Sequence, residues 1–222
     1  MEINPESLAP RERYKLLIGC IVPRPIAWVS TVSPAGARNL APFSFFNGVG
    51  SNPMTIIICP ANNSAGQEKD TLRNCKPRSE GGTGQFVVCG ASEHLAREMA
   101  ATSADLPPDQ SEWELAGLEA APSEKVAPPR VARSPWAFEC ETLSVVRTNP
   151  GAPAGGNVVI GQVVHVHLDD SIVNERLHID PASLRAIGRM GGLGYCTTRQ
   201  RFEMPMGPGA LELDPATLGL EG

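Results

Sequence analysis

The 22 glycines and 21 prolines spread through this 222-residue chain leave little room for long helices. Proline removes a backbone donor and clashes with the turn before it. Glycine in a helix interior costs about 1 kcal/mol relative to alanine. Short strands joined by turns are what such punctuation allows. Residues 26–32 are apolar and β-branched and run into Ser33, Pro34, Ala35 and Gly36, a turn signal. Residues 38–43 then read as the return strand of a hairpin. Residues 55–59 and 85–89 are short continuous apolar runs, as in buried strands. Residues 136–146 are strand-like, and 157–168 form the strongest strand pattern, alternating around Gly161.

Helical signals are few. Ser92 is placed to cap a helix ending near Ala101, with Leu95, Ala96, Met99 and Ala100 on one face. Pro107, Pro108, Pro122, Pro128, Pro129 and Pro135 rule out a long helix across the next excursion, within which residues 113–117 fit one helical turn. Residues 148–156 are a proline- and glycine-rich loop. The last twenty residues lack periodicity and read as a surface arm or frayed tail. The pattern predicts a mainly β chain, a barrel with peripheral helices. The βαβ alternation of a dinucleotide fold is missing, as are GxGxxG after a strand and GxxxxGK[ST].

Composition excludes several function classes. The net charge is −5 and the basic residues are scattered, so no nucleic-acid partner is expected. No apolar run approaches the roughly 20 residues that cross a bilayer, and the start Met-Glu-Ile-Asn-Pro is unlike a secretory signal. Six cysteines without a CxxC pair suit reduced, mostly buried thiols in a cytoplasmic protein.

Three segments could carry chemistry. Lys69, Asp70 and Thr71 read as the start of a short helix, where free N–H groups, an ammonium and a hydroxyl would suit a phosphate; taken alone, the segment is better read as an ordinary helix start capped by Asp70 or Thr71. Ser44 and Asn47 interrupt the apolar run of Phe43, Phe45 and Phe46. Their partners are either backbone atoms or the polar edge of a planar ligand. The glycine-rich stretch from Ile187 to Tyr195 offers Arg189 for a phosphate and Tyr195 for stacking, or is a plain surface loop. His165 and His167 lie two apart on a strand and face one side. Packed or interface histidines are expected there in preference to a metal site. His94 and His178 read as surface residues. No catalytic triad or other catalytic side-chain set can be assembled from spacing.

Taken in order, Pro23 to Thr31, Asn39 to Asn47, Lys69 to Thr71, Gly84 to Val88, Ser134 to Cys140 and Gly188 to Tyr195 resemble the flavin reductase-like domain family. That family has the FMN-binding split-barrel fold and includes flavoredoxin. The resemblance spans about residues 10–200 and implies a six-stranded split barrel, usually a homodimer, with FMN (or FAD) as cofactor and NAD(P)H as co-substrate. It assigns residues 1–202 to one domain and 203–222 to a C-terminal arm. By similarity, Ser30 and Thr31 lie beside the flavin. Asn39, Leu40 and Ala41 meet the ring edge through backbone atoms, and Ser44, Phe45 and Phe46 line the phosphate and ribityl side. Lys69 and Thr71 hold the phosphate, and Arg189 and Tyr195 close the site. Residues 76–84 are longer and richer in glycine than the family pattern, and nothing after Phe202 matches it. The resemblance implies an oxidoreductase that passes electrons to a redox partner or a flavin-dependent monooxygenase. An FMN electron-transfer protein without its own NAD(P)H site, or a barrel binding a planar ligand without turnover, are the alternatives.

Overall fold

The computed structural model describes residues 1–107 and 110–214. Its centre is a seven-stranded sheet in which each pair of neighbours is antiparallel. β1 (Ala27–Val32) and β2 (Arg38–Phe43) form the first hairpin, β3 (Phe46–Ser51) and β4 (Met54–Ile58) the second, and β5 (Gln85–Gly90) lies against β1. After the two-residue pair β6 (Ala120–Ala121) and β7 (Arg130–Val131) come the long strands β8 (Trp136–Arg147) and β9 (Asn157–Leu168). The strand order is β2-β1-β5-β8-β9-β4-β3. β2 and β3 therefore stand at opposite edges although only Ser44 and Phe45 separate them in sequence. The sheet must curl until its edges meet at that link, which makes a barrel. Counted as one bent strand, β2 and β3 reduce seven strands to the expected six.

Each expected strand is present, and β3 was not foreseen. Its residues Asn47 to Ser51 are exposed and include Gly48 and Gly50, so no apolar alternation marks them. The barrel interior is filled by Val29, Ile56, Ile58, Phe86, Val88, Cys140 and Val159. Gly161 is required in β9 because a Cβ there would stand 2.4 Å from Cζ of Phe86. The outer face of β1, β2 and β5 carries Trp28, Leu40 and Val87, covered by Leu95, Met99 and Trp113 from the excursion between β5 and β8.

The helices are short and peripheral. α1 (Pro10–Cys20) was missed by the sequence reading; of its residues only Ile18 is buried, so no apolar stripe betrays it. Proline at its first position and Glu12, whose carboxylate accepts from the Ala9 amide at 2.9 Å, start it. α2 (Asp70–Cys75) begins where expected. The helix expected from Ser92 is instead a 3-10 turn, Glu93–Leu95, followed by α3 (Ala96–Ala101). Ser92 does not cap it, because its hydroxyl is bonded to Nδ1 of His94 at 3.0 Å. Leu95 and Met99 are buried as the face pattern implied. α4 (Glu112–Leu115) is the expected single turn, capped by Ser111. α5 (Pro181–Leu184), β10 (Ile187–Arg189) and β11 (Tyr195–Thr197) follow, with a last 3-10 turn at Gly207–Glu212. Of the expected arm, residues 215–222 lie outside the described residues, as does Pro108.

The six cysteines are free thiols; three are buried, and burial pushes Cys75 and Cys89 up to about 12. Among the described residues no helix is long and apolar enough to cross a membrane.

Candidate functional site

Thr31 and Asn39 are directly opposite in the β1–β2 register, so their side chains share a face. α2 crosses that face because Leu72 and Cys75 bury themselves in the barrel cluster, and this delivers Thr71 beside Asn39. Nδ2 of Asn39 donates to Oγ1 of Thr31 at 3.3 Å and to Oγ1 of Thr71 at 3.0 Å. Nδ2 of Asn74 adds a second donor to Oγ1 of Thr31 at 3.1 Å. Three residues singled out in the sequence, from three elements, thus meet in one hydrogen-bonded junction. Since Oγ1 of Thr71 accepts from Asn39, its own proton is free to turn toward a ligand.

Asn39 and Thr71 of this junction line an open cleft of about 290 Å³, with the fully buried Thr31 beneath them. Ala41, Pro42 and Phe43 continue one wall, Lys69 to Thr71 and Arg73 form a second, and residues 102–106 with Glu112 form the third. Lys69 makes no hydrogen bond or ion pair within the described chain. Arg73, by contrast, is committed to the Asp70 carboxylate and the Glu68 carbonyl. Glu68 accepts from Nζ of Lys76 at 2.9 Å and Nε of Arg147 at 2.8 Å, and Arg147 also reaches Glu80 at 2.5 Å. This network ties the glycine-rich segment 76–84 to the end of β8, behind the Lys69 wall.

The backbone of β2 is more selective than expected. Ser33 donates to the Ala37 carbonyl at 2.8 Å, which makes 33 and 37 a hydrogen-bonded pair. Alternation makes Thr31–Asn39 and Val29–Ala41 hydrogen-bonded too, so the amides of Asn39 and Ala41 are consumed within the sheet. Leu40 points its N–H outward from the edge strand, and Pro42 has none. The outward Leu40 amide donates to Oε2 of Glu112 at 3.4 Å. Burial raises the Glu112 carboxyl above its ordinary value, and Asp70 adds to the rise, against the opposing pull of its own amide and that of Leu40.

The other expected residues lie elsewhere. Ser30 alternates to the opposite face from Thr31, fully buried, and its hydroxyl has no hydrogen-bond partner among the described residues. The Leu40 side chain belongs to the outer core cluster. Ser44, Phe45 and Phe46 sit past Phe43 at the barrel closure: Oγ of Ser44 accepts from Nε of Arg24 at 3.2 Å, the guanidinium lies 5.9 Å from the Phe45 ring centre, and Phe46 packs on the interior cluster. Arg189 donates to the Gly192 carbonyl at 2.7 Å and stacks 4.5 Å over Tyr195, outside the cleft. The β10–β11 hairpin reaches the barrel through backbone bonds between Arg189 and Arg24 at 2.8 and 2.9 Å. Glu112 was missed, because nothing in its spacing links it to Leu40, seventy-two positions away.

His165 and His167 do share a face, packed against Glu139 on β8; the nearest ligand atoms of the three lie within 4.8 Å of one another. The fully buried Glu139 carboxylate accepts from the amides of Glu124, Lys125 and Val126 at 2.7, 2.6 and 3.2 Å and lies 2.6 Å from Nε2 of His167. Its four lone-pair positions are thereby engaged, and its evident work is to pin the loop at 124–126 to the barrel.

The same architecture occurs in known proteins. Nitrilotriacetate monooxygenase component B from Bacillus cereus superposes with a TM-score of 0.84 at 34% identity, covering 92% of this chain and 98% of that one. The 2-nitrobenzoate 2-nitroreductase of Pseudomonas fluorescens gives 0.80 at 28% identity over 94% and 97% of the two chains. A split-barrel-domain structure from Shewanella frigidimarina gives 0.73 at 20% identity over 93% and 100%, a likeness of fold alone. The model of the flavin reductase like domain matches residues 18–193. With a split barrel, a cleft built on the 31–39–71 junction and that match over most of its length, this chain belongs to the flavin reductase like domain family.

Proposed function

We propose that the cleft binds FMN and that the protein is an NAD(P)H-dependent flavin reductase serving a flavin-dependent monooxygenase. The observation that carries this is the Thr31–Asn39–Thr71 junction beside a Lys69 ammonium that is unpaired among the described residues. The donor set fits the group: a free cation and a hydroxyl for a phosphate, and one outward main-chain amide for a ring heteroatom. When bound, FMN would supply the redox chemistry, taking hydride from NAD(P)H and passing electrons onward. The residues bind and orient; none is assigned a proton-transfer role in that reaction. Lys69 and Thr71 would hold the phosphate, Asn39 would keep Thr31 and Thr71 in register, and Phe43 would offer apolar surface beside the ring. The likeness to a monooxygenase component B supports a monooxygenase as recipient.

Ser44 to Phe46, Arg189 and Tyr195 lie outside the cleft of a single chain. A homodimer would bring a second copy to this face, and exposed Tyr14, Leu17, Ile21 and Leu193 offer apolar surface for it. The likeness to a nitroreductase supports a second reading, direct reduction of a nitroaromatic acid by the flavin-loaded protein. A titration with FMN and FAD, then anaerobic mixing with NADH or NADPH, tests the first reading. FMN binding followed by prompt bleaching is expected. Failure to bind flavin overturns the proposal, and binding without bleaching leaves an electron-transfer protein. Nitrobenzoate consumption under the same conditions decides the second reading.

A further inference from the structure

Glu112 stands where a ligand of this cleft has to go. The edge of β2 offers one amide in mid-strand, that of Leu40, and the Glu112 carboxylate holds it at 3.4 Å. α4, which carries Glu112, is fixed in place by the buried Trp113 and the Ser111 cap, so the carboxylate is aimed by packing. It is half-buried and, among the described residues, has no ion-pair partner. The charged groups facing the same space are Lys69, Asp70 and Arg73 from α2 and its approach, and Asp105 from the facing segment; Arg73 is already paired with Asp70. Among the described residues the Glu112 side chain meets only this edge amide and its own, and at 3.4 Å the Leu40 contact is at the long end of the hydrogen-bond range, so its hold on the donor is weak.

We propose that Glu112 is a displaceable cap on the Leu40 amide, which a flavin must remove, so that it sets the affinity of the cleft and makes binding tighten as the pH falls. This rests on the reading that flavin occupies the cleft. Above its titration range the carboxylate competes with the ring acceptor for Leu40. Protonation weakens its hold on the amide and removes its charge, and the rise already imposed by burial brings that event closer to neutrality.

Riboflavin is the probe, because it lacks the phosphate whose ionisation and contact with Lys69 would obscure the pH profile. Its affinity is measured by fluorescence quenching between pH 5 and pH 8 in the wild-type protein, Glu112→Ala and Glu112→Gln. Glu112→Ala is expected to bind about tenfold tighter at pH 8, with the difference closing toward pH 5. Glu112→Gln, which keeps the volume and an acceptor oxygen, is expected to fall between the two and to show no pH slope. It also serves as the test if the alanine variant does not fold. Equal affinities with parallel pH profiles overturn the cap and leave the flavin site standing. Weaker binding by both variants overturns it too, making Glu112 a ligand contact. If neither riboflavin nor FMN binds any of the proteins, the flavin reading fails first, and the cap with it.

Discussion

Replacing Arg24 by methionine tests how the two ends of the chain are held to the barrel. The residue is 3% exposed, and its guanidinium donates to the carbonyls of Ile18 at 2.6 Å, Ile21 at 2.7 Å and Met190 at 3.0 Å, as well as to Ser44. It thus caps the C-terminal end of α1, holds the segment after β10 and braces the β2–β3 link. Methionine preserves most of the aliphatic packing and removes all the donors. The Ile18 carbonyl is left buried at a cost of about 2 kcal/mol, and the partly exposed Ile21 and Met190 carbonyls add about 1 kcal/mol each. A total near 4 kcal/mol lowers Tm by about 10 °C in a chain of this size. Thermal unfolding followed by circular dichroism is the assay. Arg24→Lys, which cannot span the same acceptors, is expected to recover less than half of the loss. No carboxylate neutralises this guanidinium in the bonds described, so its desolvation opposes the gain. A methionine variant as stable as the wild type would show that desolvation wins, and the bracing argument would fail.

Gly161→Ala should cost about 1–3 kcal/mol, because its Cβ would meet the immobile Phe86 ring at 2.4 Å; a Tm within 1 °C of wild type would refute the close packing. Glu139→Gln should loosen the 124–126 loop, read as several-fold faster tryptic cleavage after Lys125 with the barrel intact. Glu68 and Glu139 both lie below the ordinary carboxylate value. Burial raises each, and it is outweighed for Glu68 by Lys76 and Arg147 and for Glu139 by the Glu124 amide and His167. A lowered folded-state value stabilises above the unfolded value and is lost as pH falls through the folded one. Tm should therefore hold from pH 7 to pH 5 and drop below about pH 4.5, with a smaller drop in Glu68→Gln. Lys69→Met should weaken FMN binding at least tenfold and riboflavin binding little; equal losses would place the phosphate elsewhere.

The parts of the fold that were legible are those where burial writes a period into the sequence. β1, β5, β8 and β9 carry apolar or β-branched runs because one or both faces are covered, and Leu95 and Met99 disclosed the buried side of the 3-10 turn and α3 that follow Ser92. β3 and α1 were illegible for the converse reason: apart from Phe46 and Ile18 their residues face outward, so packing imposed no pattern on them. At the site, Thr71 stood out at a helix start and Asn39 through the family resemblance, and the structure joins them. Whether a main-chain amide is spent inside the sheet or left available depends on pairing parity, which residue types do not encode; hence Leu40 is separated from Asn39 and Ala41 only by the register. Glu112 belongs to an excursion whose course is set by tertiary packing of Trp113, so its approach to Leu40 leaves no local mark.

Pairing parity at Leu40 has a consequence for how this protein can drift. The side chain at that position is answerable to the hydrophobic layer, while its peptide nitrogen is answerable to the cleft. Any apolar residue of similar bulk can satisfy the first demand without touching the second, and proline alone defeats the second. Recognition written into the peptide frame in this way is insulated from most codon changes, and new specificities should arise from the facing wall, at residues 102–106 and 112, sooner than from the strand itself.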